Sequence, residues 1–132
     1  MSPAPYRLLV VDDLEDNRDL LRRQLERAGY VVEEASNGQA ALDRLEQIRF
    51  HLVLLDINMP GMDGIELLRR IRRDHNQSAL PVIMLTASAQ IADVVRARGE
   101  GANDYITKPI DFATALARVR VQLNTVGKVQ AA

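Results

Sequence analysis

The chain has 132 residues, 47% of them hydrophobic, a formal net charge of −1 and no cysteine. That length suits one domain with a real core, the near-zero charge leaves no electrostatic footprint for nucleic acid or a membrane surface, and the lack of cysteine excludes disulfides, Cys-ligated zinc and thiol catalysis. No stretch approaches the ~20 apolar residues of a membrane span, and Met1-Ser2-Pro3-Ala4-Pro5 lacks the apolar core of a signal peptide, so a cytoplasmic location is expected.

Strand and helix patterns alternate along the chain. The apolar run from Arg7 to Val11 reads as a strand buried on both faces, and Asp12-Asp13 follow it directly. The next segment reads as a helix with Leu14, Leu21, Leu25 and Ala28 along one stripe, stopped by Gly29. A second strand spans about Val31 to Ala35. A second helix runs from near Gly38 to Gln47, with Ala41, Leu45 and Ile48 inward. The third strand, Leu52 to Leu55, is again wholly apolar and leads into Asp56, and Pro60-Gly61-Met62-Asp63-Gly64 reads as a loop. The third helix turns Ile65, Leu68 and Ile71 inward, with Arg69, Arg70, Arg72 and Arg73 largely outward. The fourth strand is Val82 to Leu85 and the fourth helix about Gln90 to Arg98. The fifth strand is about Asp104 to Thr107. The fifth helix starts near Asp111 as N-cap and buries Phe112, Leu116, Val119 and Leu123.

Five βα units imply an α/β fold, a parallel sheet covered on both faces by right-handed crossovers. In such sheets ligands bind beyond the carboxyl ends of the strands. That rule selects Asp12, Asp13, Asp56, Thr86 and Lys108, each at or just after a strand end. Three carboxylates brought together are costly unless a cation joins them, and an all-oxygen donor set favours a hard ion such as Mg²⁺. Lys108 stands out further, because of 17 Lys+Arg only Lys108 and Lys128 are lysine. A lysine and a threonine hydroxyl beside clustered carboxylates meet the needs of phosphoryl transfer to a carboxylate. The small Ala87 leaves room for the group, and Gly61 and Gly64 let the loop after Asp56 turn tightly. Each residue has a plainer alternative: Asp12-Asp13 as a helix cap, Asp56 and Lys108-Pro109 as turns, Thr86 as an ordinary strand end. Their joint placement on one edge is what favours chemistry.

At these positions the chain resembles the receiver domain of two-component response regulators, of the chemotaxis-regulator type. The matching stretches are Leu9-Val10-Val11-Asp12-Asp13, Leu54 to Gly64, Pro81 to Ala87 and Gly101 to Pro109, and the likeness covers about residues 6 to 124. Residues 125 to 132 are then a tail or the start of a linker. The resemblance implies a flavodoxin-like, doubly wound five-stranded sheet in the order 2-1-3-4-5 with five helices. It implies that Asp56 accepts a phosphoryl group from a histidine of a sensor kinase or phosphotransfer protein. Mg²⁺ would be held by the Asp13 and Asp56 side chains and the Asn58 carbonyl, with Asp12 acting mainly through a metal-bound water. Lys108 would pair with Asp56 and then with the phosphoryl group, Thr86 would move to bond it, and Tyr105 would be the switch aromatic. The Lys108–Pro109 bond would be cis. The fourth helix, fifth strand and fifth helix would carry the signal, and the domain would not be a conventional enzyme, only a self-catalysing phosphoacceptor that also loses its phosphoryl group by itself.

Some positions depart from the pattern. Arg98 and Glu100 stand where such domains commonly carry apolar residues, and Gly99 weakens a helix by ~1 kcal/mol relative to alanine, so a short or loosely packed fourth helix is expected. Ser88 and Asn58 should shape water access during dephosphorylation. Ala113, Ala117 and Val121 follow helical spacing and form either a dimer or output-domain face, dimerisation then following phosphorylation, or a partly covered flank. Tyr105 has the alternative of a half-buried aromatic at the sheet edge. Two other classes compete: a phosphorylation-independent pseudo-receiver that binds partners, and a haloacid-dehalogenase-type phosphatase. The latter needs an acid two residues after the nucleophile, where this chain has Asn58. No direct nucleic-acid contact is expected, and the sequence does not name the downstream output.

Overall fold

Ten elements alternate along the chain: β1 (Arg7–Val11), α1 (Glu15–Arg27), β2 (Val31–Ala35), α2 (Gly38–Gln47), β3 (Leu52–Asp56), α3 (Gly64–Asp74), β4 (Val82–Thr86), α4 (Ile91–Gly99), β5 (Asp104–Thr107) and α5 (Phe112–Ala131). They come from a computed structural model that describes residues 5–87 and 91–131, with side chains described up to 87 and over 92–124. Ser88 and Gln90 therefore lie outside the described residues. The strands form one parallel sheet in the order β2-β1-β3-β4-β5. This is the expected doubly wound topology.

Strand periodicity divides the core in two. Leu9, Val11, Val53, Leu55, Val82 and Met84 point to one face and pack against Ala41, Ile65, Leu68, Ile71 and Ala97 of α2, α3 and α4. Leu8, Val10, Leu52, Leu54, Ile83 and Leu85 point to the other, against Leu21, Leu25, Ala115, Val119 and Leu123 of α1 and α5. Every residue of β3 and β4 is buried, which is why these strands read as unbroken apolar runs. Local chemistry sets the helix starts. Asn37 accepts from the Ala40 N–H at 2.8 Å and Asp63 from the Glu66 N–H at 2.8 Å, N-capping α2 and α3. Asp111 accepts from the Ala113 N–H and the Thr114 hydroxyl at the start of α5.

The structure corrects the expected helix faces in three places. Leu14 is 54% exposed and Ala28 is also exposed, so only Leu21 and Leu25 of the α1 stripe are buried. Leu14 is the extended N-cap residue, its N–H taken by Asp12 Oδ1 at 2.9 Å, and Ala28 is the C-cap. Both fall on the stripe's spacing but lie just outside the helix, at its caps. On α5, Ala115 joins Val119 and Leu123 as the buried stripe, while Phe112 and Leu116 pack against it only partly buried. The helix also continues through Gly127 to Ala131.

The third correction is Arg72, expected to face solvent on α3. It turns inward and spends its donors on uncharged oxygens: Nε to the Gly101 carbonyl (2.8 Å), Nη1 to those of Leu80 (2.8 Å) and His75 (3.0 Å), and Nη2 to Asn103 Oδ1 (2.9 Å). Asn103 extends the tie, accepting from the Val82 N–H and donating to the Gln77 carbonyl. Burial lowers the Arg72 pKa to about 10, so it remains charged at neutral pH. Gly101 makes room for it: at φ +105° its backbone suits glycine, and a Cβ there would lie 2.9 Å from Arg72 Nε.

α4 spans nine residues, and Ala97 is its one buried side chain among the described residues. The two unusual charges near its end have partners. Glu100 pairs with Arg69 at 3.1 Å, and the Arg98 guanidinium lies 5.8 Å from the centroid of the Tyr105 ring.

Two outcomes follow. Arg72→Ala leaves three part-buried carbonyls without their donor at once and should destabilise the domain by about 2–3 kcal/mol, read by urea denaturation. His51 supplies the second: its Nδ1 accepts the Arg7 N–H at 3.0 Å, which requires a neutral ring. Burial, with help from the Arg49 charge, lowers its pKa below 6.5. The unfolded chain then binds this proton first, so stability should fall as pH drops through and below 6.5, levelling off once the folded form also titrates. His51→Asn should flatten that limb of a stability-against-pH curve.

Candidate functional site

The strand order brings the carboxyl ends of β1, β3, β4 and β5 side by side. Asp12 follows β1, Asp56 ends β3, Thr86 ends β4 and Lys108 follows β5. β3 and β4 each run one residue longer than expected, so Asp56 and Thr86 are strand residues with fixed backbones. Among the described residues, the buried polar or charged ones are Asp12, Asp56 and Thr86. All three lie on this single edge, so the fold concentrates its polar burial there. Such burial is unfavourable without compensation.

The compensation is visible. Lys108 Nζ bridges the two buried carboxylates, 3.2 Å from Asp56 Oδ2 and 3.3 Å from Asp12 Oδ2. The other oxygen of each accepts a main-chain N–H two residues on: Asp56 Oδ1 from Asn58 at 3.1 Å, Asp12 Oδ1 from Leu14 at 2.9 Å. Lys108 is itself fixed by its N–H to the Thr86 carbonyl at 2.7 Å, and its bond to Pro109 is cis. Burial pushes the Asp56 pKa up; Lys108 and the Asn58 N–H pull it back, but the net shift is upward. Burial alone would depress the Lys108 pKa, yet attraction to Asp56 and Asp12 outweighs it and raises the value. The ammonium therefore stays charged.

Asp13 completes the set. Asp12, Asp13 and Asp56 each present an oxygen within 4.8 Å of the others. Three carboxylates against one ammonium leave excess negative charge, and the all-oxygen donors suit a hard divalent cation. Gly64 closes the loop beside them, its N–H donating to the Ile57 carbonyl at 2.9 Å. A Cβ at Gly64 would meet the Asp56 carbonyl and lie 2.7 Å from Ile57 Cα. Asn58 and Ala87 are exposed at the mouth of the site.

Tyr105 lies outside this cluster. It pairs in register with Met84 on β4, while Thr107 pairs with Thr86. Strand alternation therefore puts Tyr105 and Thr86 on the same face, the one covered by α4. Tyr105 is half-buried against that core.

Sequence reasoning overlooked Arg18. Its Nη1 donates to the Asp12 carbonyl at 2.8 Å and its Nε to Glu34 Oε1 at 3.2 Å. The available signal was a cation one turn into a helix that starts directly after an acidic strand end.

Comparison with known proteins gives one answer. The family model for the response regulator receiver domain matches residues 8–120. The DNA-binding dual master transcriptional regulator RpaA of Synechocystis is 39% identical over 93% of this chain and 51% of its own length. The transcriptional regulatory protein YkoG of Bacillus subtilis is 42% identical over 91% of this chain and 52% of its own. The chain thus spans about half the length of these curated relatives. Among solved structures, a CheY-like receiver domain protein from Methanospirillum hungatei superposes with a TM-score of 0.88 at 32% identity, covering 95% of this chain and 98% of that one. With the 2-1-3-4-5 sheet and its acidic edge, these likenesses establish that the chain belongs to the response regulator receiver domains of two-component signalling systems.

Proposed function

We propose that this receiver is switched by phosphorylation of Asp56, the donor being a phosphohistidine of a sensor histidine kinase or a histidine phosphotransfer protein. The observation that carries this reading is the Lys108 ammonium spanning two buried carboxylates at the end of β3 and β1. An Asp56 oxygen bonds to phosphorus as the phosphorus–nitrogen bond to histidine breaks, and the imidazole leaves with the electron pair. The product is an acyl phosphate, which water returns to carboxylate and inorganic phosphate. Residues 6–124 form the switching unit, and residues 125–132 serve as a tail or linker.

The donor set fits Mg²⁺, which Asp13, Asp56 and the Asn58 main-chain carbonyl would hold directly and Asp12 mainly through a metal-bound water; once bound, the ion would supply positive charge against the phosphoryl oxygens. The chain's own residues do the rest. Lys108 releases Asp56 and pairs with a phosphoryl oxygen, so its positive charge is used in both states. The Thr86 hydroxyl approaches another oxygen, and Ala87 leaves space at the mouth. Tyr105, on the same sheet face as Thr86, then rotates inward. This biases the α4, β5 and α5 surface between two populated states. On that surface, exposed Ala113, Ala117 and Val121 of α5 offer a face for dimerisation or an output module. No helix among the described residues is long and apolar enough to cross a membrane, which suits a cytoplasmic partner for a sensor kinase.

With acetyl phosphate and Mg²⁺, intact-mass analysis should find one phosphoryl group on the unaltered protein and none on Asp56→Asn. An unmodified wild type whose partner binding survives Asp56→Asn would favour the phosphorylation-independent module instead. Lys108→Ala should slow transfer about a hundredfold. Its loss also removes the pull that lowers the Asp56 pKa, so the acid limb of the rate profile should move to higher pH.

A further inference from the structure

Asp12 is held at every polar atom. Its N–H donates to the Ala35 carbonyl at 3.2 Å. Its carboxylate oxygens accept from the Leu14 N–H and Lys108, and its carbonyl accepts from Arg18. Asp13 differs: among the described residues no hydrogen bond or ion pair holds its carboxylate, although that carboxylate belongs to the acidic cluster. What aims Asp13 is therefore its backbone. A peptide unit is planar, so fixing the Asp12 carbonyl fixes the plane through the Asp13 N–H and limits the directions its side chain can take.

We propose that Arg18 is a positioning residue that sets the Asp12–Asp13 peptide plane, and so aims the Asp13 carboxylate at a divalent cation, with Glu34 holding Arg18 in place. The identity of the cation site rests on the phosphoacceptor reading above. Arg18 is well suited to this task. Its main chain is anchored one turn into α1, its N–H donating to the Leu14 carbonyl at 3.0 Å. The Arg18 side chain is 15% exposed, and its guanidinium splits its rigid fork between the Asp12 carbonyl and Glu34. Glu34 stands on β2 opposite Val10 of β1, so the guanidinium ties the end of β1 to its neighbouring strand. A lysine has a single point of donation and cannot make both bonds with the same geometry.

The sign of the effect separates positioning from charge alone. A cation beside three carboxylates competes with Mg²⁺, so if only its charge mattered, removing it would tighten Mg²⁺ binding. If Arg18 aims Asp13, removing it weakens binding. The experiment is an NMR-monitored Mg²⁺ titration of the whole chain at fixed ionic strength, for wild type, Arg18→Gln, Arg18→Lys and Glu34→Gln. Metal-free spectra and melting temperatures report the fold separately. Arg18→Gln should weaken Mg²⁺ binding about tenfold, in the range seen when outer partners of metal ligands are removed. Arg18→Lys should fall between it and wild type, and Glu34→Gln should weaken binding severalfold with the metal-free fold intact. Equal or tighter Mg²⁺ binding by folded Arg18→Gln overturns the assignment. If that variant fails to fold, unchanged affinity in Glu34→Gln overturns it. Failure of the wild type to bind Mg²⁺ would overturn the phosphoacceptor reading, and this one with it.

Discussion

One ammonium group between two buried carboxylates sets the terms for the rest of this molecule. Asp12 and Asp56 are 2% and 3% exposed, a placement that would be prohibitive for bare charges. Lys108 makes it tolerable, but only if three separate strands end at the same level. The parallel order of the sheet and the buried registry of β1, β3, β4 and β5 meet that condition. The hydrophobic core thus stabilises the domain and also works as a jig that holds charges where they would not gather in water.

The compensation is deliberately incomplete. Lys108 supplies one positive charge against the three carboxylates of Asp12, Asp13 and Asp56. A fully neutralised cluster would be a structural ion pair with nothing left to attract a cation. The upward shift of Asp56 comes first from burial, which outweighs what Lys108 and the Asn58 N–H return, with the Asp12 charge adding to it.

Much of this was legible because it depends on short-range patterns. Apolar runs ending in Asp12-Asp13, Asp56 and Thr86, and the short segment Asp104–Thr107 before Lys108, specify strands, and strand ends specify the site. Boundaries of β1, β2, α2 and β5 follow from the same period and turn signals. What escaped depends on contacts distant in sequence. Arg72 sits among three other arginines on α3, and nothing local marks it as the one that reaches Gly101 and Asn103. Arg18 is inconspicuous until β2 brings Glu34 beside it. Leu14 misled for the opposite reason: it fits an apolar stripe but belongs to the turn that Asp12 imposes. Arg98 and Glu100 looked like departures from an apolar helix end and are accommodated by Tyr105 on the next strand and by Arg69, which is distant in the chain.

The described ties around α4 link it to α3 and β5. Buried Ala97, the Arg98 contact with Tyr105, the Glu100–Arg69 pair and the Arg72 bond to the Gly101 carbonyl all gather at its C-terminal end. These ties make the end of α4 near Gly101 a junction with α3 and β5, so a shift in either neighbour is passed to the helix at that point. Strand, helix and turn are in this way coupled through side chains and not through the main chain alone.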